Sequence, residues 1–254
     1  MRSSHAVFVI SAVLFLAAAA PAQTAEEILT AVEKKTSGDE APRDMESTLR
    51  MTLVGTRGDS KVRELRAWSK NNESGDDWRI MKFLSPADMR DIGLLVLAED
   101  RMYLYLPEFR RVRRIASHNK KDNFMGSDFS YDDLGTSVYS AHYTPRLAGE
   151  EDGAWILELE RKPESDKPYK TVRLRVLKDS GLPDRMEMAD DSGAPWKVAE
   201  QEIGKAGAYR IPVKIVMRDL KAKSHTVLEM TDIRVDQNLD EEIFSERFLK
   251  RSVR

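Results

Sequence analysis

Apolar and polar residues alternate along most of this chain, with the period of two that is typical of β-strands buried on one face. Residues 48–54 and 62–69 alternate clearly, and residues 78–84 and 94–98 follow as two further predicted strands. After a longer break, the predicted strands are residues 139–147, 154–161, 169–178, 183–190, 197–203, 208–218 and 226–235. Clusters of Gly, Pro, Asp and Ser separate these segments, which favours antiparallel pairing. We therefore predict a mainly β protein, with a curved antiparallel sheet of about ten or eleven strands around an apolar concavity.

A β-hairpin is predicted before the long break. Met102, Leu104 and Leu106 alternate with two tyrosines, and Pro107 stands where a turn favours its fixed φ. Residues 110–115 alternate again as a return strand, and this strand contains four arginines: Arg110, Arg111, Arg113 and Arg114. Two interpretations of the arginines stay open. They form a solvated strand face, or they attract anionic lipid headgroups or an acidic partner.

Residues 117–136 form a loop that is too long for an ordinary hairpin and rich in apolar side chains. The large apolar residues are Phe124, Met125, Phe129 and Tyr131. Long loops of this kind inside a compact domain are usually functional. One interpretation makes the four residues a satellite of the core; the other makes them a lid at the cavity mouth, with Gly126 and Gly135 allowing backbone movement.

Three acidic residues, Asp128, Asp132 and Asp133, stand among these apolar side chains. They lack the spacing of a calcium loop, so we predict no metal site. We expect them instead to cap a short helix that begins near Ser130, or to pair with the arginines of the hairpin.

Apart from the short helix near Ser130, helices are predicted near the two ends of the mature chain. Residues 23–35 form an amphipathic helix, with a capping box between Thr24 and Glu27 and with Lys34 and Lys35 near its C-terminus. Residues 240–249 are predicted to form a helical turn and an apolar tail that docks on the sheet through Phe244, Phe248 and Leu249. The N-terminal helix and the loop of residues 117–136 are the candidates to cover the concavity.

Residues 1–22 have the pattern of a cleaved secretory signal peptide. Arg2 and His5 precede an apolar run over residues 6–19, and the small residues 20–22 favour cleavage before Gln23. The alternative, a membrane anchor, is disfavoured because the run is short for a bilayer span. We predict one domain over residues 23–254. Since the chain has no cysteine, it contains no disulfide and no lipidation site of the bacterial lipoprotein type.

Composition and motifs argue against several classes of function. Charged residues make up 33% of the chain and the formal net charge is -2, which excludes a generally basic nucleic-acid binder. The three mature histidines, His118, His142 and His225, are isolated and show no zinc-binding spacing. There is no nucleophile elbow and no phosphate-binding glycine loop. We therefore predict a protein that is not an enzyme and uses no cofactor.

Three stretches resemble the outer-membrane lipoprotein-sorting family, the LolA-like proteins of Gram-negative bacteria. They are YLPEFRRVRRI at residues 105–115, NFMGSDFSYDDL at residues 123–134 and LEMTDIRVDQNLDEEIFSERFL at residues 228–249. The resemblance extends over the mature chain and is closer to a divergent branch than to the lipoprotein carrier itself. It implies an unclosed β-barrel with a helical lid over an apolar cavity. It also implies one arginine that holds the lid, a role for which no single arginine of this sequence stands out.

The resemblance further implies a function. We expect a periplasmic carrier of lipid or lipoprotein acyl chains, directed toward the outer membrane, with an inner-membrane exporter of the resistance-nodulation-division type as a possible partner. The cargo classes that remain open are a lipoprotein, a phospholipid and a hopanoid-like lipid. We expect a monomer that contacts membranes peripherally. The alternative is a periplasmic sensor or scaffold that uses the same fold to bind a protein.

Overall fold

Thirteen antiparallel strands form one continuous sheet. The computed structural model describes residues 23–71, 77–136 and 138–253; the predicted signal peptide, residues 1–22, lies outside the described residues. The strands are β1 (Asp44–Val54), β2 (Ser60–Asn71), β3 (Asp77–Ser85), β4 (Gly93–Ala98), β5 (Arg101–Leu106), β6 (Arg111–Arg114), β7 (Tyr143–Glu151), β8 (Ala154–Arg161), β9 (Thr171–Leu177), β10 (Pro183–Ala189), β11 (Pro195–Ala206), β12 (Tyr209–Asp219) and β13 (Ser224–Val235).

The order of the strands makes the sheet an interrupted ring. From edge to edge it reads β6-β5-β4-β3-β2-β1-β13-β12-β11-β10-β9-β8-β7. The first and last strands of the chain therefore pair in the middle, and the two edges, β6 and β7, are consecutive in sequence. Pairing of β6 with β7 would complete the ring, but the sheet is not closed there. The predicted unclosed barrel is confirmed, with thirteen strands where about ten or eleven were expected.

The predicted strand over residues 139–147 begins late, at Tyr143. Ser140 donates two hydrogen bonds to the carboxylate of Glu33, one from its backbone N–H and one from its hydroxyl, both at 2.7 Å. These bonds hold residues 139–142 as a turn. The alternation of apolar and polar residues could not predict this contact, because Glu33 is distant in the sequence.

The N-terminal helix α1 (Ala25–Thr36) has the predicted capping box. Glu27 N–H donates to Thr24 Oγ1 at 3.2 Å, and Thr24 N–H donates to Glu27 Oε2 at 2.9 Å. The apolar stripe of the helix is buried inside the curve of the sheet and consists of Ile28, Leu29 and Val32. None of the helices in the described ranges is both long and apolar enough to cross a membrane.

The two faces of the sheet bury separate apolar clusters. The inner cluster joins strands from both halves of the sheet, for example Leu104 of β5 and Leu159 of β8, with α1 and the loop of residues 117–136. Contact between such distant strands shows that the sheet curls around this cluster.

The outer cluster forms where the C-terminal tail docks on strands β2 to β5. The tail contains a helical turn, Glu241–Phe244, and the short helix α3 (Glu246–Lys250). Phe244 and Leu249 pack with the outward-facing side chains of these strands, which are Trp68, Ile80, Leu95 and Tyr105. The rings of Trp68 and Phe248 meet edge to face with centroids 5.4 Å apart. The predicted docking of the tail is thus confirmed, on the outer face.

Lys82 of β3 binds this tail through hydrogen bonds. Its side chain is fully buried, and its Nζ donates to the carbonyl of Leu249 at 2.8 Å and to that of Arg251. These carbonyls lie at the end of α3, where helix geometry leaves acceptors unpaired. Burial lowers the pKa of Lys82 to about 8, although the nearby Asp91 opposes this shift.

Replacing Lys82 with Met should destabilise the protein, because the buried carbonyls of the tail lose their donor. An unsatisfied buried acceptor costs about 1–3 kcal/mol in the free energy of unfolding. Since the pKa in the folded state lies below its unfolded value, the unfolded chain binds more protons between pH 8 and 10. The contribution of Lys82 to stability therefore rises with pH. In denaturant titrations, the difference in the free energy of unfolding between the wild type and Lys82→Met should widen over this range.

The exposed Lys61 of β2 provides the control, since Lys61→Met removes a lysine that contacts no tail carbonyl. A deficit for Lys82→Met that shrinks as the pH rises would show instead that the charge of the ammonium group stabilises the docked tail.

Candidate functional site

The segment that links the two edge strands folds into the inner face of the sheet. We call residues 117–136 the lid segment; it includes the short helix α2 (Tyr131–Gly135). Phe124 is fully buried, with its ring 5.8 Å from that of Phe83 and 5.6 Å from that of Tyr131. Phe129 is also buried, whereas Met125 is half-buried. The lid segment therefore fills part of the concavity.

The start of α2 follows the predicted capping pattern. Ser130 is the N-cap: its Oγ accepts from the Asp133 N–H at 3.1 Å, and its own N–H donates to Asp133 Oδ2 at 2.7 Å. The expected capping role is thus confirmed for Asp133.

Asp128 attaches the lid segment to β13. Its carboxylate accepts hydrogen bonds from the hydroxyls of Ser224 and Thr226, the latter at 2.6 Å. Its N–H donates to Thr226 Oγ1 at 2.9 Å. Because Asp128 and Thr226 are both buried, this contact fixes the lid segment on the inner face.

The predicted pairing of Asp132 and Asp133 with the hairpin arginines is wrong; both carboxylates pair with buried lysines. Lys167 Nζ lies 3.0 Å from Asp132 Oδ1 and also 3.0 Å from a carboxylate oxygen of Glu99. Only 3% of the Lys167 side chain is exposed. Burial raises the pKa of Asp132, and the neighbouring Lys167 opposes the rise. The arginines are exposed on edge strand β6 and in the turn before it, so they do not reach the interior where α2 lies.

Asp133 has its own buried partners. Lys197 Nζ lies 3.0 Å from Asp133 Oδ2, and the Tyr169 hydroxyl donates to Asp133 Oδ1 at 2.7 Å. The same ammonium group lies 5.6 Å from the ring centroid of Trp196, within the range of a cation–π contact. Burial, together with the charge of Asp133, raises the pKa of Tyr169 well above its ordinary value.

Two arginines hold the backbone of the lid segment. Arg63 Nη1 donates to the Met125 carbonyl at 2.5 Å, and Arg79 Nη1 donates to the Leu134 carbonyl at 2.9 Å. The resemblance implied one lid arginine without locating it. Arg63 and Arg79 precede the inward-facing Leu65 and Met81 by two residues, so they occupy core-facing positions of their strands. A charged residue at a core-facing position is the signal that could have identified them, and Lys197 shows the same signal two residues before the buried Ala199.

A cavity of about 310 Å³ lies between α2, the C-terminal end of α1 and one rim of the sheet. Its apolar wall includes Leu49, Met81, Phe129, Leu134, Ile211 and Leu228. Five charged side chains stand around it: Lys35, Asp77, Arg79, Asp133 and Arg210. Methyl, thioether and aromatic groups dominate the wall, so the arrangement is suited to hydrocarbon. Of the four predicted lid residues, Phe129 lines the cavity, whereas Phe124, Met125 and Tyr131 pack beside it in the core.

Comparison with known proteins agrees with this architecture. A family model described as an uncharacterized protein matches residues 75–251, more than half of the chain. A structure of a DUF1329 family protein from Desulfovibrio piger has a TM-score of 0.82 at 24% identity, covering 90% of this chain and 100% of the other. A domain from Vibrio parahaemolyticus named for outer membrane lipoprotein sorting has a TM-score of 0.80 at 26% identity, with 89% and 100% covered. The chain belongs to a divergent branch of the LolA-like proteins.

A third structure, a LolA superfamily protein from Nitrosomonas europaea, has a TM-score of 0.71 at 20% identity, covering 89% of this chain and 100% of the other. At this identity the likeness concerns the fold alone. Among curated proteins, none matches the sequence.

The hairpin arginines of this LolA-like protein are divided between the two faces of edge strand β6. Arg111 and Arg113 lie opposite Leu106 and Leu104, on the side of the inner face, whereas Arg114 lies on the outer side and donates to the Asp100 carbonyl at 2.8 Å. Arg110 occupies the turn with φ 49°. All four side chains are exposed. Their suggested role in binding headgroups or a partner stays a prediction.

Replacing Lys197 with Met should strongly destabilise the fold, because the carboxylate of Asp133 would remain buried without its counter-ion. Removing one partner of a buried ion pair typically costs about 3–5 kcal/mol. Denaturant unfolding measures this loss. The double variant Lys197→Met/Asp133→Leu should recover part of the loss, although it also removes the cap of α2.

Lys214, whose Nζ lies 2.8 Å from Glu202 on the protein surface, is the matched control. Lys214→Met should leave stability nearly unchanged, since exposed pairs contribute little. Equal effects of Lys197→Met and Lys214→Met would show that the ion pair at α2 does not anchor the lid.

Proposed function

We propose that this protein is a periplasmic carrier that holds lipid or lipoprotein acyl chains in the cavity beneath α2. The observation that supports this most directly is an apolar cavity whose wall includes a segment of the lid. Phe129 and Leu134 of the lid segment face the same space as Leu49 and Leu228 of the sheet. An acyl chain in this space would replace water with hydrocarbon contacts at about 25 cal/mol per Å² of apolar area.

The attachment of the lid segment favours reversible binding. The segment is fixed by separate polar contacts from Arg63, Arg79, Lys167, Lys197 and Thr226, and it has no strand pairing with either edge of the sheet. Such a segment can shift without breaking the sheet. Burial of Phe129 then competes with cargo for the same wall, which keeps affinity moderate and permits release.

The N-terminal pattern and the family support the proposed compartment and route. Residues 1–22 supply the export signal, and the Vibrio parahaemolyticus domain is named for lipoprotein sorting. We propose transport toward the outer membrane, with an inner-membrane exporter of the resistance-nodulation-division type as a partner.

The hairpin between β5 and β6 is the proposed membrane contact. Phe109 at its tip is 54% exposed, and the guanidinium of Arg113 lies 5.9 Å from its ring centroid. An exposed aromatic ring beside Arg110, Arg111 and Arg113 combines an apolar group with positive charge. This combination suits the interface of an anionic bilayer.

The carrier role predicts stoichiometric binding of one fluorescent fatty acid, and Phe129→Ala should change this binding more than it changes stability. Removing the ring takes away a competitor for the wall, so we expect affinity to rise by about tenfold. The loss of stability should be modest, because the ring borders open space on one side and has fewer contacts to lose. Displacement titrations and thermal melting measure the two effects.

Phe124→Ala is the control within the same segment. Its ring is fully buried against Phe83 and does not line the cavity, so truncation should cost about 3–5 kcal/mol while fatty-acid affinity stays near that of the wild type. The proposal would be contradicted by a wild-type protein that binds no acyl chain, both in titration and in native mass spectrometry of protein purified from its own periplasm. That result would favour the sensor or scaffold.

The membrane-contact hypothesis predicts that Arg111→Gln/Arg113→Gln weakens binding to vesicles that contain anionic lipid. Each charge near the surface contributes about 1 kcal/mol, and the salt dependence of binding should become flatter. Arg114→Gln, on the other face of the same strand, should have a smaller effect. Vesicle sedimentation over a salt series measures both. Unchanged binding in the double variant would leave the interpretation of a solvated strand face.

A further inference from the structure

The positive and negative charges around the cavity are not balanced by one another. Asp77 pairs with Arg79, and Asp133 pairs with Lys197 at 3.0 Å. Both lining carboxylates therefore have a buried or half-buried cation of their own. The two lining groups that remain, Lys35 and Arg210, are both positive.

Lys35 is held at the rim of the cavity by backbone. Its Nζ donates to the Ser180 carbonyl at 3.1 Å, and among the described residues no carboxylate lies within ion-pair distance of it. The neighbouring Gly181 has φ +69°, and a Cβ at that position would lie 2.7 Å from Lys35 Nζ. A glycine at this turn thus leaves room for the ammonium group.

Arg210 reaches the same turn. Its Nη2 lies 3.3 Å from the carboxylate of Asp179, the residue before Ser180. The side chains are 41% and 70% exposed, so this pair is a weak surface contact that another anion can replace. The turn of residues 179–181 therefore brings two exchangeable cations to the apolar cavity.

We infer that the cavity selects a single-chain amphiphile with an anionic headgroup, either a carboxylate or a phosphate, which Lys35 and Arg210 bind at the rim while the chain lies against the apolar wall. This inference rests on the proposed function and specifies its cargo. The size of the cavity agrees with one chain, since 310 Å³ is at the lower end of the about 300–1,000 Å³ that small-ligand pockets occupy.

Competition against the uncharged probe N-phenylnaphthylamine tests the inference with matched ligands. The ligands share one saturated chain length: a fatty acid, the corresponding alcohol, an anionic lysophosphatidylglycerol and a zwitterionic lysophosphatidylcholine. We expect each anionic ligand to bind about tenfold more tightly than its uncharged or zwitterionic counterpart. The acid and the lysophosphatidylglycerol distinguish a carboxylate from a phosphate headgroup.

The variant Lys35→Gln/Arg210→Gln should remove this preference while retaining binding of the alcohol. The control Lys34→Gln/Lys61→Gln removes the same net charge at exposed positions that do not line the cavity, including the neighbouring lysine at the end of α1. It should keep the full preference for anions.

The outcomes separate the headgroup from the chain. Equal binding of acid and alcohol by the wild type would overturn the inference but leave the carrier function intact. Loss of the preference in the control variant as well would also overturn it, since general charge would then be the cause. Failure of all four ligands to displace the probe would refute the proposed function itself, and the inference with it.

Discussion

The absence of pairing between β6 and β7 is the constraint on which the rest of this structure depends. Every other pair of neighbouring strands is joined by backbone hydrogen bonds, and β1 and β13 complete the series in the middle of the sheet. A further ladder between them would close the barrel. The chain between the two edges instead turns inward as the lid segment, which covers the inner face without joining the sheet. The inward path of the lid segment is a consequence of this missing strand pairing.

Buried charge positions the lid segment. Lys167 and Lys197 are almost completely buried, and each meets a carboxylate of α2. Removing such pairs from water costs several kcal/mol per ion, so their net contribution to stability is small compared with that of apolar packing. Because these ion pairs are directional, they define one position of α2 on an inner face that is otherwise mostly apolar. In this protein they act together with Arg63 and Arg79, which bind carbonyls at two points of the same segment.

Strands β2 to β5 are apolar on both faces, and their outer face is covered by the C-terminal tail. Trp68, Ile80, Leu95 and Tyr105 would form an exposed patch, and such patches favour aggregation. The C-terminal tail covers them, and Lys82 binds the end of α3 from within the sheet. Across β7 to β12 the outer face is covered by paired charges instead, for example Arg146 with Glu158 and Arg185 with Glu200. The inner face is thereby left as the apolar surface available to a ligand.

Local patterns in the sequence were enough to identify the strands, the cap of α1, the cap of α2 and the docking of Phe244 and Leu249. Each depends on neighbouring residues: alternation reports one buried face, and Thr24 with Glu27 or Ser130 with Asp133 form capping boxes over three residues. The late start of β7 was missed because Glu33, far away in sequence, holds the preceding turn.

The partners of charged groups were decided by tertiary structure alone. The proximity of Asp132 and Asp133 to four arginines along the chain suggested a pairing, but β6 lies at the exposed edge while α2 lies inside, where Lys167 and Lys197 arrive from the other half of the sheet. The same holds for Lys35, whose position at the end of a helix indicated only a favourable dipole contact until the turn at Ser180 placed it at the cavity rim. The sequence by itself determined which segments are strands and which faces they bury, because these depend on short-range periodicity. Which polar groups meet in the folded protein depends on residues far apart in sequence, 64 positions for Asp133 and Lys197 and 145 positions for Lys35 and Ser180, and only the folded sheet brings them together.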